Sequence, residues 1–369
     1  MLGRKRRLAL LAEGCFTALD AKTAVGVVRY RANEVAAVID STRAGKTASA
    51  CVGVGGDIPV VADLAAAATA SADALLIGVA PRGGELPGAW RAIVCEALDR
   101  SWDVLSGLHV FLADDPELAA RAAAGRARLI DVRRPPATRV VATRRAAEVE
   151  ALVVLTVGSD CNVGKMTAAL EIHRALEALG LRSSFVATGQ TGIFVADRGV
   201  AVDAIPADFV AGAVEELVVE AARTADVVVV EGQGALHHPG YSGVTLSLLH
   251  GACPAALILC HQARRVRIRA HGTWPSAPEP VAAGEPVIPP LAELVRVYEA
   301  ATAWVAEGRV AGIALNTQGL AEADARAEIE AAARATGLPA TDPVRFGAAT
   351  LALALAKTHA ERRSRATLP

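Results

Sequence analysis

A strand-length apolar run that leads into a glycine-containing loop and Gly-Lys is the feature that most constrains this chain. Residues 151–157 predict a buried β-strand, and residues 158–167 read Gly-Ser-Asp-Cys-Asn-Val-Gly-Lys-Met-Thr. A helical pattern follows over 164–179, so strand, loop and helix come in the order typical of a phosphate-binding loop. Backbone N–H groups of such a loop point at anionic oxygens. The loop residues predicted to contact a ligand are Gly158, Ser159, Asp160, Asn162, Val163, Gly164, Lys165, Met166 and Thr167.

The loop departs from the common pattern in two ways. Gly158 lies one position earlier than usual, a spacing that resembles dethiobiotin synthetase and related nucleotide-binding proteins. Met166 stands where a serine or threonine normally gives its hydroxyl to Mg²⁺. A thioether is a poor ligand for a hard cation, and Thr167 points about 100° away on a helix. We therefore expect phosphate binding with weakened or absent metal-dependent chemistry, and we predict no metal site.

Composition bounds the class of protein. The length of 369 residues suggests about two domains. Hydrophobic residues make up 53% and aromatic residues 4%, so alanine and valine would provide most of the packing, as in α/β proteins. The net charge of -1 gives no reason to expect nucleic-acid or membrane partners, and the six cysteines lack metal-type spacing. We expect a cytoplasmic homo-oligomer that acts on a small molecule.

Strand and helix patterns alternate along the chain, which predicts parallel sheets covered by helices. Prolines at 135 and 136 mark a linker, because proline continues neither a helix nor a central strand. We expect a Rossmann-like α/β domain over 1–135 and a P-loop NTPase-like α/β domain over 140–369. The first domain lacks Gly-x-Gly-x-x-Gly after its first strand, so no dinucleotide site is predicted. Residues 80–88 predict a ligand loop or a surface turn, and 271–285 a loop over the domain surface.

An acid and two histidines follow a buried strand of the second domain. The apolar run at 227–230 ends in Glu231, within a Glu-Gly-x-Gly segment similar to that of dethiobiotin synthetase-like proteins. A strand-end carboxylate beside a phosphate loop commonly holds Mg²⁺ or a water, although an acid that only caps a helix or a turn would give the same pattern. His237 could act as a general base near neutral pH, although one of the adjacent histidines could simply pack and the other face solvent. Glu231, His237 and Lys165 are the candidate catalytic residues.

Small polar residues near other strand ends are candidate substrate ligands. Thr188, Gln190 and Thr191 follow a strand, in a stretch that predicts either a ligand loop or a glycine turn. Asp203 could bind a substrate ammonium group, and Gln233 follows the strand that ends at the acid.

Two further polar residues could have either a structural role within their own segment or a role in ligand binding. Asp208 is expected to N-cap the helix that follows it, although it too could bind a substrate ammonium group. Asn316 closes a late strand and resembles the adenine-binding residue of dethiobiotin synthetase-like proteins, because an amide can pair with the edge of adenine. A residue that only forms an Asx-turn would give the same pattern.

Motifs in both halves of the chain resemble the bacterial domain-of-unknown-function 1611 family. The Gly-Lys-Met-Thr variant at 164–167 is the most specific of them. The family includes a D-glutamate N-acetyltransferase, so the resemblance implies acetyl-CoA as the acetyl donor and an acidic amino acid as the acceptor. Further motifs are Lys22-Thr23-Ala24, Ile77-Gly78, Pro81-Arg82-Gly83-Gly84, Gly107-Leu108-His109, Asp208-Phe209 and Leu315-Asn316-Thr317.

The resemblance and the P-loop together suggest a mechanism. Loop amides and Lys165 would hold the CoA phosphates, and Glu231 or His237 would take a proton from the substrate amine. The amine would attack the thioester, with nearby N–H groups stabilising the oxyanion. Arg198 or Arg264 would bind a substrate carboxylate.

Two other functions fit the sequence. The first is a ligase or kinase of the dethiobiotin synthetase type, which would use Mg²⁺ and ATP with Glu231 holding the metal; Met166 argues against it. The second is a nucleotide sensor without turnover.

Overall fold

The computed structural model describes residues 5–18, 20–79, 86–137, 139–268 and 286–366. These residues form two compact units, each built on a six-stranded sheet. The first unit contains the chain up to Pro135 together with Gln190–Ala204, and the second contains residues 136–189, 205–268 and 286–366. Most of the loop predicted at 80–88, and all of the one at 271–285, lie outside the described residues.

The first unit has the Rossmann-like architecture that the sequence predicts. Its strands are β1 (Leu8–Leu11), β2 (Val35–Ile39), β3 (Val60–Val61), β4 (Ala74–Ile77), β5 (Asp103–Ser106) and β6 (Leu129–Asp131). Its helices before the linker are α1 (Lys22–Tyr30), α2 (Ala48–Val52), α3 (Leu64–Thr69), α4 (Gly88–Asp99) and α5 (Pro116–Gly125). The sheet is parallel in the order β3-β2-β1-β4-β5-β6, which is the doubly wound order of dinucleotide-binding folds.

The chain after the linker forms the second parallel sheet. Its strands are β7 (Leu152–Gly158), β8 (Ser183–Val186), β9 (Val227–Val230), β10 (Ala256–Gln262), β11 (Arg309–Asn316) and β12 (Ala340–Thr341). The helices of this part are α6 (Lys165–Ala178), α7 (Gln190–Ala196), α8 (Ala207–Ala222), α9 (Ser242–Ala252), α10 (Leu291–Thr302), α11 (Glu322–Thr336) and α12 (Ala349–Ala366). All belong to the second unit except α7, which is part of the first.

The strand order of the second sheet places the P-loop at its centre. The order is β12-β11-β10-β7-β9-β8, and all neighbours run parallel. The order reverses at β7, and ligands of such sheets bind outside the carboxyl ends of the strands at this point. Residues of β7 are buried throughout, as expected for a strand covered on both faces. The P-loop domain is thus confirmed, with the loop leaving the strand at which the order reverses.

One apolar cluster fixes the strand and the helix on either side of the P-loop. It joins β7, β9 and β10 to α6 and α12 by small and branched side chains. Because interiors are packed at nearly crystalline density, this cluster leaves the loop ends little freedom to move. Its members include Leu152, Val154, Ile172, Leu176, Val227, Ile258, Leu351 and Leu355.

The segment that enters the second unit is held to α8 by a buried carboxylate and a glycine. Glu215 accepts hydrogen bonds from the backbone N–H of Thr143 at 3.1 Å and of Arg145 at 2.8 Å. The backbone of Val140 crosses Gly212 so closely that a Cβ at Gly212 would lie 1.8 Å from the Val140 carbonyl oxygen. No side chain fits at this crossing, which explains a glycine inside a helix.

The expectation that Asp208 caps α8 is wrong: Pro206 is the N-cap residue, and Asp208 lies in the first turn, where its charge still favours the helix dipole. Across the described part of the chain, no helix combines the length and the apolar character that crossing a membrane requires.

Replacing Gly212 by alanine should destabilise the second unit by about 2 kcal/mol or more, because the new methyl group would overlap a backbone carbonyl. Urea unfolding followed by circular dichroism measures the loss. Gly243 in α9 is the control, since a Cβ there meets no atom within 4 Å. Gly243→Ala should leave the stability unchanged or raise it, and an equal effect of the two changes would contradict the packing described.

Candidate active site

The P-loop presents an open helix N-terminus. It runs from the end of β7 at Gly158 to the start of α6, where Gly164 is the N-cap residue with a φ of 105°. Asn162 also has a positive φ, of 56°. No side chain caps the helix, so the first N–H groups of α6 can point at an anion. The loop therefore has the geometry of an anion site.

Two glycines allow Lys165 to lie flat under the loop. A Cβ at Gly158 would be 3.0 Å from Lys165 Nζ, and one at Gly232 would be 3.2 Å from Lys165 Cδ. The lysine is 7% exposed, and its Nζ donates to the carbonyl oxygen of Asp160 at 2.8 Å. Burial lowers the pKa of its ammonium group. The side chain is thus positioned from below the loop, with its charged end beside the loop backbone.

Asp160 is a carboxylate inside the loop, and it already has a cationic partner. It is fully buried, and its Oδ2 lies 2.5 Å from Nη2 of Arg265. Its Oδ1 accepts the backbone N–H of Cys161 at 2.6 Å. Arg265 also donates to the carbonyl oxygen of Cys161 at 3.1 Å. The acid and the arginine therefore shape the loop, and their charges compensate each other.

Glu231 is buried beside this loop with its proton affinity increased. It follows β9, is 4% exposed, and accepts the N–H groups of Thr188 at 2.9 Å and Gly189 at 3.2 Å. The side-chain amide of Gln233 donates to its Oε1 at 3.1 Å. Burial raises the pKa of Glu231 to about 7, although these donors and Lys165 act in the opposite direction. A carboxyl that titrates near neutral pH suits a general base.

The two histidines after β9 are fixed in opposite roles. His237 Nε2 donates to the carbonyl oxygen of Ser159 at 2.8 Å, which leaves its Nδ1 as an acceptor, and burial lowers its pKa. His238 Nδ1 accepts the N–H of Gly240 at 3.0 Å, so in the neutral ring the proton is on Nε2. Among the described residues, neither His237 Nδ1 nor His238 Nε2 has a hydrogen-bond partner. One buried acceptor and one buried donor therefore stand next to the loop.

Asp160, Cys161 and His238 also bring three metal-type ligand atoms within 4.8 Å of one another. A metal on His238 Nε2 would move the proton to Nδ1, where it would face the N–H of Gly240. The carboxylate of Asp160 also already forms an ion pair with Arg265. These contacts disfavour a metal at this cluster.

Several residues of the site have no clear signal in the sequence. The hydroxyl of Tyr298, in the middle of α10, donates to the carbonyl oxygen of Gly158 at 2.6 Å and accepts the N–H of Leu236 at 3.2 Å. His261 Nδ1 lies 2.7 Å from Ser159 Oγ, and burial lowers its pKa to about 4. His261 and Arg265 lie at or just after the end of β10, so a search of strand ends could have found them. Only the folded chain brings Tyr298 to the loop.

The predicted substrate ligands fall in both units. Thr188 and Gln233 contact Glu231 in the second unit, where Thr188 also donates to the carbonyl oxygen of Glu231 at 2.7 Å. Gln190 and Thr191 begin α7 in the first unit, where Thr191 Oγ1 lies 2.9 Å from Thr23 Oγ1.

The remaining candidates have local partners. Asp203, also in the first unit, pairs with the buried Arg133. Asn316 Oδ1 accepts the N–H of Gln318 at 3.0 Å, which is an Asx-turn. Of the two suggested arginines, Arg264 lies in an exposed ion pair with Glu328 at 2.8 Å, and Arg198 is exposed.

The other predicted loop residues lie around the same turn. Val163 is buried in the apolar cluster, whereas Met166 and Thr167 are half-buried in the first turn of α6. Cys161 is partly exposed.

Known proteins resemble this chain over most of its length. Residues 140–352 match a family described as "Domain of unknown function (DUF1611_C) P-loop domain", and residues 41–135 match its "Rossmann-like domain" (DUF1611_N). A D-glutamate N-acetyltransferase of Tritonibacter scottomollicae is 40% identical over 294 residues, which is 79% of this chain and 83% of the relative. Another from Pseudoalteromonas sp is 34% identical over 283 residues, covering 76% and 80%.

A crystal structure supports the same similarity. It is that of a DUF1611 family protein from Anabaena variabilis ATCC 29413 at 2.30 Å resolution, with 38% sequence identity and a TM-score of 0.87. The alignment covers 95% of this chain and 99% of the crystallised one.

Glu231 should make the protein more stable in mild acid. Its folded-state pKa of about 7 exceeds the ordinary value of 4.5, so the folded chain binds the proton more tightly. This contribution is complete below the ordinary pKa and is lost as pH rises through the folded one. Relative to Glu231→Gln, the wild-type protein should gain about 3 kcal/mol of unfolding free energy from pH ~8 to pH ~4.5. Urea unfolding at both pH values measures it.

The control for this pH dependence is Glu330→Gln in α11, where the side chain is 70% exposed. This change should leave the pH dependence of stability as it is in the wild type. A difference between wild type and Glu231→Gln that does not vary with pH would contradict the raised pKa.

Proposed function

This chain belongs to the DUF1611 family, and we propose that it transfers the acetyl group of acetyl-CoA to the amino group of an acidic amino acid such as D-glutamate. Two relatives at 34% and 40% identity are named D-glutamate N-acetyltransferase. The observation that best supports this function is the placement of Glu231 beside the P-loop, where it is 4% exposed and accepts hydrogen bonds from Thr188, Gly189 and Gln233. Burial raises the pKa of this carboxyl to about 7. Amine acylation needs a base of this kind, because an ammonium group is not a nucleophile.

The proposed reaction has two steps. Glu231, as carboxylate, takes a proton from the substrate ammonium, and the free amine attacks the thioester carbonyl to form a tetrahedral intermediate. Nearby N–H groups stabilise its oxyanion. The carbon–sulfur bond then breaks, the amide forms, and the thiolate of CoA leaves and takes up the proton lost by the nitrogen. His237 is the second candidate base, because its Nδ1 has an unused lone pair.

Met166 favours acyl transfer over an ATP-dependent ligase reaction. A ligase or kinase of the dethiobiotin synthetase type needs Mg²⁺ on its nucleotide, and the half-buried thioether occupies the place of the usual hydroxyl ligand. Glu231 could hold a metal, so a Mg²⁺- and ATP-dependent reaction is the second candidate, and a nucleotide sensor without turnover is the third.

Other sequence-based expectations stay predictions. These are a cytoplasmic homo-oligomer, small-molecule substrates only, and CoA phosphates on the P-loop. Lys165, the loop amides and the uncapped start of α6 are the groups available to an anion there, whichever substrate supplies it.

Purified protein should acetylate an acidic amino acid without added Mg²⁺. Acetyl-CoA, or ATP with Mg²⁺, is offered beside a panel of D- and L-amino acids, and products are identified by mass spectrometry. We expect a mass gain of one acetyl group on an acidic amino acid, in the presence of a chelator. ADP formed only with Mg²⁺, and no acetylated product, would move the assignment to the ligase class. Ligand binding with no product under any condition would favour the sensor.

Changing Glu231 to glutamine should lower kcat by about 100-fold or more, because the amide cannot take the proton. The KM for acetyl-CoA should change little. In the wild type, kcat should rise with pH through about 7, as the Glu231 carboxyl loses its proton, and this rise should be absent in the variant. Initial rates from pH ~5.5 to pH ~8.5 measure both effects. Unchanged turnover in Glu231→Gln would leave His237 as the base.

A further inference from the structure

We propose that the P-loop of this chain binds a carboxylate of the acceptor amino acid and not a phosphate of coenzyme A. Lys165 and the start of α6 would hold the carboxylate, and Glu231 would face the ammonium group of the same molecule. The inference rests on the proposed acetyl transfer, and it assigns the two substrates to different places. Charge, reach and unused hydrogen-bonding groups support it independently.

The charges of the site balance one carboxylate. Arg265 is paired with Asp160 at 2.5 Å, so these two charges cancel. Lys165 donates to a neutral carbonyl oxygen, and its positive charge is therefore available to a ligand. A diphosphate carries about two negative charges, one for each phosphate. The diphosphate brings no positive charge of its own close to Asp160 and Glu231, whereas an amino acid carries an ammonium group next to its α-carboxylate.

In ordinary P-loops, a metal ion compensates the negative charge of the bound phosphates. Mg²⁺ neutralises part of the phosphate charge, and the hydroxyl after the lysine helps to hold it. Met166 takes that position here, and its thioether is a poor Mg²⁺ ligand. A carboxylate needs no metal, so the same substitution that weakens phosphate binding leaves carboxylate binding intact.

The distance between the anionic group and the reacting atom differs between the two substrates, and it favours the amino acid at the P-loop. An α-amino acid has its nitrogen two bonds from its carboxylate carbon, so a carboxylate on Lys165 brings the amine close to the loop. In coenzyme A, the extended pantetheine arm places the thioester on the order of 15 Å from the diphosphate. With the diphosphate on the loop, Glu231 and His237 would face phosphate and not the reacting amine. With a carboxylate there, both are beside the group that must lose a proton.

Buried polar atoms beside the P-loop have hydrogen-bonding capacity that a ligand could fill. Lys165 is 7% exposed and has three N–H donors, one of which is directed at the carbonyl oxygen of Asp160. His238, 3% exposed, has its Nε2 3.8 Å from Asp160 Oδ1 and without a hydrogen-bond partner among the described residues. Buried polar atoms are nearly always satisfied when the site is filled. An acidic amino acid offers acceptors for Lys165 and His238 and a donor for His237 Nδ1.

The first test compares Lys165→Met with Lys357→Met. Methionine keeps the length of the side chain and removes its charge, and Lys357 on α12 is a matched control with a 79% exposed side chain. Lys165→Met should raise the KM for the amino acid by about tenfold or more, because a charge-assisted hydrogen bond is lost. The KM for acetyl-CoA should change by less than about threefold, and Lys357→Met should change neither. A rise in the KM for acetyl-CoA alone would overturn the proposal.

The second test uses the wild-type protein and needs no turnover. Cys161 is a partly exposed thiol within the P-loop, and Cys15, Cys51 and Cys95 are partly exposed thiols elsewhere. Iodoacetamide labelling, read by peptide mass spectrometry, should be slowed at Cys161 by D-glutamate and not by acetyl-CoA. The other three cysteines serve as internal controls. Protection of Cys161 by acetyl-CoA, with none by D-glutamate, would contradict the proposal.

The two tests separate this inference from the proposed function. Protection by D-glutamate without any acetylated product would reject acetyl transfer and keep the carboxylate site. Acetylated product together with protection by acetyl-CoA alone would keep the function and return the loop to the CoA phosphates. If neither D- nor L-glutamate protects Cys161 at millimolar concentration, the proposal is rejected whatever the activity.

Discussion

The site depends on how one lysine is buried. Lys165 crosses Gly158 and Gly232 and ends on the carbonyl oxygen of Asp160, so two strand ends and the loop are shaped around a single side chain. Any side chain at Gly232 would meet the carbonyl oxygen of Thr156 at 1.6 Å. These contacts position the lysine in the absence of a ligand, with its ammonium group beside the loop. Pre-organised charge of this kind costs no rearrangement during a reaction.

The two acids next to this lysine have different roles, and their partners explain why. Asp160 has a guanidinium group on one oxygen, and this pair fixes the loop. Within the described residues, the hydrogen bonds to Glu231 come from the neutral donors of Thr188, Gly189 and Gln233, and burial raises its pKa to about 7. A carboxyl group thus forms a structural ion pair in one place and is a candidate base in the other.

The sequence predicts the fold well because its signals are local. The apolar run of β7, the glycine loop and the periodic helix are visible in the chain, and the predicted helix at 164–179 differs from α6 by one residue at each end. The family was predicted from the same motifs and is confirmed. The site was predicted less fully. Tyr298 reaches the loop only through tertiary packing, and the assignment of Gln190 and Thr191 to the first unit depends on how α7 packs.

A crystal structure of the protein with both CoA and the acceptor amino acid would test the central claim most directly. We expect a carboxylate oxygen of the amino acid within about 3.2 Å of Lys165 Nζ, and its nitrogen at hydrogen-bonding distance from Glu231. The CoA diphosphate should lie away from the loop, with the acetyl-bearing sulfur directed towards the amine. A diphosphate seated on the N–H groups of α6, with the amino acid remote from Lys165, would contradict this account.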